Sequence, residues 1–200
     1  MLKKLRHCLT AALVSLPAVS LAAPIDTASN WLRSFETLTA DFTQISQTGE
    51  RAEGRMLISR PGKMRLEYQG KDAPLVIVGA GAVAIFDPQS NGGPTQYPLS
   101  RTPLGPILAR NPNLSASDMI ENSLHIGSEV SITAQDPNHP EYGHTEFFFS
   151  ADSGALTKWI MTSAAGEETL LTFSNIETGM RLGLLPFSAS REAEIRKPQK

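Results

Sequence analysis

Residues Lys63 to Gln69 alternate without a break: Met64, Leu66 and Tyr68 are apolar, while Lys63, Arg65, Glu67 and Gln69 are charged or polar. A period of two puts the two sets on opposite faces of a strand, so this stretch belongs to a sheet with one face covered and one wet. Short runs of the same kind follow at 75–78, 83–86, 124–132, 146–149, 156–161 and 169–176. Turn-forming residues separate them: Pro61-Gly62, Gly79-Ala80-Gly81, Asp87-Pro88, Asp136-Pro137-Asn138 and Asp152-Ser153-Gly154. Successive strands joined this tightly pair as antiparallel hairpins. The 15 Gly and 14 Pro suit many short strands better than a few long helices. The expected class is therefore mainly β (α+β).

Two segments depart from the period of two. Near the start, Trp31, Leu32, Phe35 and Leu38 recur at the spacing of one helical face, and Asp26 or Ser29 is placed to cap that helix. In mid-chain, Thr102-Pro103-Leu104-Gly105-Pro106-Ile107-Leu108-Ala109-Arg110 sits between strand-like regions. Thr102 suits an N-cap and Pro103 the first helical position, and Leu104, Ile107 and Leu108 then share a face. A helix this short is marginal in water, so an apolar one must lie against something hydrophobic.

The first residues bear on compartment. Lys3, Lys4 and Arg6 precede an apolar run from Leu9 to Leu21, and Ser20-Leu21-Ala22 offers small residues at a cleavage site. The run is too short, and too broken by Pro17, to span a bilayer, and it reads as a secretory signal peptide over 1–22. Residues 23–200 then form a single secreted domain. Losing three cations takes the formal net charge from -2 to -5, which argues against nucleic acid as a partner. The single cysteine, Cys8, leaves with the leader, so the mature chain has neither disulfide nor lipid anchor and is held by its core alone.

Candidate chemistry is sparse. Gly79-Ala80-Gly81-Ala82-Val83-Ala84 matches a dinucleotide fingerprint, but the next run is strand-like where that motif demands a helix, and a hairpin turn is expected. His139 and His144, with Asp136 and Glu141, read as a polar loop and not as a metal site. Glu167 and Glu168 are adjacent and point to opposite strand faces. No G-x-S-x-G motif occurs. Neither catalytic residues nor a cofactor is expected.

Leu38-Thr39-Ala40-Asp41-Phe42-Thr43-Gln44, followed by Gly54-Arg55-Met56-Leu57-Ile58-Ser59-Arg60-Pro61-Gly62-Lys63-Met64-Arg65-Leu66-Glu67-Tyr68, resembles the LolA family of periplasmic outer-membrane lipoprotein carriers. Ile85-Phe86-Asp87-Pro88 and Thr102-Pro103-Leu104 extend the resemblance, which is clearest over 28–110. It implies a half-open antiparallel β-barrel with an N-terminal helix and short helices forming a lid over an apolar cavity. It further implies that Arg60 is the arginine that hydrogen-bonds lid carbonyls and keeps the empty form shut. Pro103, Leu104, Ile107 and Leu108 correspond to the lid helix. Family members often carry Trp where Leu66 and Ala84 stand here, and Pro106 within the lid is unusual, so the helix begins at Pro103 or at Pro106.

The implied partners are triacylated lipoproteins, an inner-membrane ABC-type releasing complex and an outer-membrane receptor, with the carrier itself a monomer. The physical chemistry is consistent. Each buried acyl methylene is worth about 0.8 kcal/mol, so three chains cannot cross an aqueous compartment bare. A carrier needs an apolar hollow, yet must hide it when empty. A lid whose aliphatic side chains each gain about 1.5–3 kcal/mol on burial is such a stopper, and an arginine fork suits the carbonyls of a helix end. The alternative for Arg60 is a solvated arginine before a turn. Leu57, Met64, Leu66, Phe86, Phe147, Phe149 and Trp159 are the expected acyl-chain residues, although alternation does not say which face points inward. Two other functions fit less well: a lipid- or lipopeptide-sensing module of the same fold, and a secreted metal-dependent hydrolase using His139 and His144.

Overall fold

The computed structural model describes residues 23–196 save 72, 89, 91 and 92. The expected signal peptide, Cys8, and Lys197 and Lys200 of the basic C-terminal end lie outside the described residues. Helix α1 (Pro24–Arg33) leads into β1 (Thr37–Ser46), β2 (Arg51–Ser59), β3 (Lys63–Tyr68), β4 (Leu75–Gly79), β5 (Ala82–Phe86) and β6 (Thr95–Pro98). After the one-turn helix α2 (Leu104–Ile107) come β7 (Ile120–Ile126), β8 (Glu129–Gln135), β9 (Gly143–Ser150), β10 (Leu156–Ser163) and β11 (Glu168–Thr178). Helix α3 (Ala189–Ile195) closes the described chain.

All eleven strands form one antiparallel sheet in the order β6-β5-β4-β3-β2-β1-β11-β10-β9-β8-β7. Every neighbour is also a neighbour in sequence except β1 and β11. The two free edges, β6 and β7, are consecutive along the chain. Residues 99–119 therefore run from one edge of the open sheet to the other, and this strap closes by side-chain packing what strand pairing leaves open.

Register fixes two faces. Leu38, Ala40 and Phe42 on β1 stand opposite Ile58, Met56 and Gly54 on β2, which stand opposite Met64, Leu66 and Tyr68 on β3. These residues point into one core with Phe147, Phe149, Trp159 and Leu171 from the other half of the sheet. At Gly54 a Cβ would come within 2.4 Å of the Phe42 ring and of the Glu67 carbonyl oxygen, so only glycine lets that ring lie flat on the strand. A bulge between Thr39 and Asp41, with Asn175 at φ 50°, bends the sheet where its two halves meet.

The hairpins fall where the turn residues place them, and Ala80-Gly81 turns β4 into β5 with both residues at positive φ. Three expectations change. The run 124–132 is two strands, because Gly127 at φ 60° makes a turn inside it. Helix α1 ends at Arg33, so Phe35 lies beyond it and Leu38 belongs to β1. There the period of two through Leu38, Ala40 and Phe42 prevails over the helical spacing. Ala23, and neither Asp26 nor Ser29, is the N-cap, with Pro24 at the first turn.

The opposite face of β3, β4 and β5 is also apolar. Leu75, Ile77, Ala84 and Phe86 form a second cluster beneath Ala189 and Ala193 of α3. Arg65, 8% exposed on this face, bonds Glu67, Glu192 and the Pro186 carbonyl, tying the C-terminal segment to the sheet. Among the described residues, no helix is long and apolar enough to cross a membrane.

Candidate functional site

The concave face is plugged by its own chain. Ile107, Leu108 and Leu114 are 2%, 1% and 0% exposed and belong to the same core as Met64, Leu66, Phe147, Phe149 and Trp159. Leu104 packs on that core from its edge. Burying three aliphatic side chains is worth roughly 1.5–3 kcal/mol each. Leu114 lies in a 3₁₀ turn (Leu114–Ala116) that packs on α1. Sequence reasoning did not single it out, because it is an isolated apolar residue with no periodic partner.

Proline costs this lid little. Helix α2 starts at Leu104, with Pro103 as its cap residue, so Pro106 falls in the first turn, where a backbone N–H has no intrahelical acceptor. One bond, from Leu108 N–H to Leu104 O at 2.9 Å, closes the turn.

The polar ties that hold the strap differ from the expected latch. The Gly62 N–H donates to Leu108 O at 2.8 Å, Arg33 Nη1 donates to Pro112 O at 2.8 Å, and Leu114 N–H donates to Ser29 Oγ at 3.1 Å. Ser29 is buried inside α1 and donates in turn to Ile25 O at 2.9 Å. The arginine on a strap carbonyl is thus Arg33, and the Arg-Pro-Gly-Lys turn engages the lid through the Gly62 backbone.

Arg60 is a correction to the implied geometry. Its Nη2 donates to Phe35 O, at the junction of α1 and β1, and not to a carbonyl of the lid. The guanidinium carbon sits 4.3 Å from the centre of the Phe35 ring. Arg60 is 7% exposed, so it is not a solvated arginine either, and burial lowers its pKa to about 10 against a raising influence from Glu36. It remains charged at neutral pH, with Nη1 buried and without a hydrogen-bond partner. Its backbone N–H bonds Glu36 O at 2.8 Å, which fixes the turn that carries Gly62.

Of the seven expected cavity residues, Met64, Leu66, Phe147, Phe149 and Trp159 lie on the concave side. Leu57 and Phe86 do not. Leu57 stands opposite Thr39 and Arg65 on the outer face, and Phe86 lies in the cluster under α3. The C-terminal cover makes the outer face apolar too, so apolar character alone does not mark the inside.

Toward the other end of the same strands, burial falls off. Tyr68, Val76 and Ile85 are half-buried where Met64, Val78 and Val83 are buried. Here the concave face holds a cavity of about 390 Å³ walled by Ala52, Gly70, Ala73, Pro74, Val76 and Ile85, with Gln44, Tyr68 and Gln69 as its polar residues. Tyr68 Oη donates to Gln44 Oε1 at 2.6 Å, its ring packs edge-on against Phe42, and burial pushes its pKa up to about 12.

His139 pairs with Glu141 at 3.2 Å and stacks on Tyr142. Among the described residues, no group of three or more His, Cys, Asp or Glu side chains converges on a point.

A sequence model described as "Outer membrane lipoprotein carrier protein LolA" matches residues 33–187. Two proteins named outer-membrane lipoprotein carrier protein are similar along most of their length. That of Chromobacterium violaceum is 28% identical, covering 86% of this chain and 87% of the relative, and that of Dechloromonas aromatica is 26% identical, covering 86% of each. Among solved structures, a LolA superfamily protein of Nitrosomonas europaea aligns over 82% of this chain and 95% of its own, at 11% identity and a TM-score of 0.46. With the family's sequence model matched over more than half of its residues, this chain belongs to the LolA family of outer-membrane lipoprotein carrier proteins.

Proposed function

We propose that this protein is a periplasmic carrier that takes up the acyl chains of triacylated lipoproteins and delivers them to an outer-membrane receptor. It acts as a monomer, receives its cargo from an inner-membrane ABC-type releasing complex, and performs no chemistry of its own. The observation that carries this reading is the strap: Ile107, Leu108 and Leu114 fill the concave face from a segment tied down by a few hydrogen bonds. Such a stopper hides apolar surface from water in the empty protein. Incoming chains that bury more methylenes than the strap exposes displace it, since each methylene is worth about 0.8 kcal/mol. The energy that frees the cargo from the membrane belongs to the transporter.

In this reading Arg60 is a positioning residue of the lid. It anchors the start of β1 to the 60–62 turn, and that turn's Gly62 N–H holds Leu108. Its unpartnered Nη1 is a donor in reserve within the apolar interior. Met64, Leu66, Phe147, Phe149 and Trp159 are the wall that acyl chains meet once the strap leaves.

Native mass spectrometry of the protein taken directly from periplasm tests the assignment. A co-purifying triacylated polypeptide is the expected result. A bound free phospholipid would point to a lipid-sensing role, and a tightly held metal lost on His144→Ala would point to a hydrolase.

A further inference from the structure

The cavity at the Gln44–Tyr68 end differs from the plugged interior in three ways. None of its lining residues comes from the strap, so it is available while the lid is shut. Its volume, about 390 Å³, lies at the small end of the 300–1,000 Å³ typical of ligand pockets, room for part of one lipid and not for three chains. Its wall combines the apolar Ala52, Val76 and Ile85 with the half-buried Gln44–Tyr68 pair, and the exposed Gln69 stands at its rim.

The chemistry of that pair is specific. Tyr68 spends its hydroxyl proton on Gln44 Oε1, which orients the amide and leaves Gln44 Nε2 with two N–H donors and no partner among the described residues. A half-buried amide NH₂ beside an apolar wall suits a neutral carbonyl oxygen at the head of an alkyl chain. Among the described residues no lysine or arginine lines the cavity, so a free fatty-acid carboxylate meets no counter-charge from them. Tyr68 is held neutral to about pH 12 and its ring is pinned by Phe42, so the orientation of the amide persists at physiological pH.

We propose that this cavity is a docking subsite for one ester- or amide-linked acyl chain of the cargo, occupied before the strap moves, with Gln44 Nε2 donating to the acyl carbonyl and Tyr68 as its positioning residue. The inference rests on the carrier reading and adds a selectivity to it: acyl linkages are preferred over alkyl chains that lack a carbonyl. A buried donor left unpaired by the wrong ligand is penalised, and such penalties give larger discrimination than differences in chain length.

The test compares binding of 1,2-dipalmitoylglycerol with its diether analogue, 1,2-dihexadecylglycerol, to the full mature chain, by displacement of a fluorescent acyl probe. The wild type is expected to prefer the ester about tenfold. Gln44→Met, of similar volume, abolishes that preference by weakening the ester alone, with an unchanged melting temperature. Tyr68→Phe narrows it about threefold by releasing the amide from its fixed orientation. Ala52→Trp, which fills the cavity, weakens both lipids together and serves as the control should Gln44→Met fold poorly. Equal binding of ester and ether by the wild type, or a preference that survives in Gln44→Met, overturns the subsite while leaving the carrier intact. Failure of the wild type to bind either lipid overturns the carrier reading and this inference with it.

Discussion

The two faces of the same strands are covered in different ways. On the outer face of β3, β4 and β5, α3 and the turn before it rest on Leu75, Ile77, Ala84 and Phe86, and Arg65, oriented by Glu67 of its own strand, secures them through Glu192 and the Pro186 carbonyl. On the concave face, the strap buries Ile107, Leu108 and Leu114; backbone bonds to Gly81 and Gln135 hold its two ends, and between them its polar ties are single hydrogen bonds from Gly62, Arg33 and Leu114. The outer cover adds charge-assisted bonds in a shielded place, where each is worth more than a neutral one. The concave cover relies on hydrophobic burial, a driving force that another apolar molecule can supply equally well. In the proposed carrier, one cover stays and the other is exchanged.

Mutations on each face break or sharpen that contrast. Phe86→Ala should cost about 3–5 kcal/mol in unfolding free energy while leaving lipid affinity unchanged. Leu108→Ala should cost about 2–5 kcal/mol by the same cavity arithmetic. It should also raise lipid affinity and the binding of a hydrophobic dye, because the plug is weaker. If both variants changed lipid affinity alike, the two faces would not be distinct. Arg65→Ala should cost about 1–3 kcal/mol by leaving the Pro186 carbonyl unpaired and Glu192 with Arg196 alone, and should loosen α3 in limited proteolysis before it affects the strap.

Arg60→Leu gives up the bond to Phe35 O but also relieves a buried, partly unpaired cation. Stability should therefore stay within about 1.5 kcal/mol of wild type while lipoprotein loading and release change. Loading and release at wild-type levels would remove Arg60 from the lid mechanism. The smallest effect is a pH dependence. The Tyr68 pKa lies at about 12 in the fold against 10.0 for an unperturbed phenol, so its contribution is intact below pH 10 and is lost as pH rises toward 12. Tyr68→Phe should flatten that alkaline loss in denaturation curves. Arg60 works in the opposite sense. Its folded pKa, lowered to about 10 from the ordinary arginine range, means the penalty for holding it charged fades as pH rises above 10.

Much of this contrast was legible in the residues, but unevenly. Hairpins were readable because Gly, Pro, Asn and Asp mark turns by local chemistry, as Gly81 and Gly154 do. The burial of α2 was readable because an apolar one-turn helix has to lie on something. The inner and outer faces were not separable for Leu57 and Phe86, since period two gives parity and not direction, and α3 supplies a second apolar environment through contacts far apart in sequence. Arg33 escaped notice, and Ser29 was read only as a helix cap, for a related reason. Their partners, Pro112 O and Leu114 N–H, are backbone groups 79 and 85 residues away, which no side-chain pattern announces. The Gln44–Tyr68 pair spans three strands and becomes visible only once register is known.

Hydrogen exchange of the full mature chain, with and without a tripalmitoylated cysteinyl peptide, reads both covers in one experiment. The amides of Leu108 and Leu114 should exchange faster when the peptide is bound, while those of α3 keep their protection. Protection of residues 104–116 that is unchanged or increased in the loaded protein would contradict a stopper that leaves to make room for cargo.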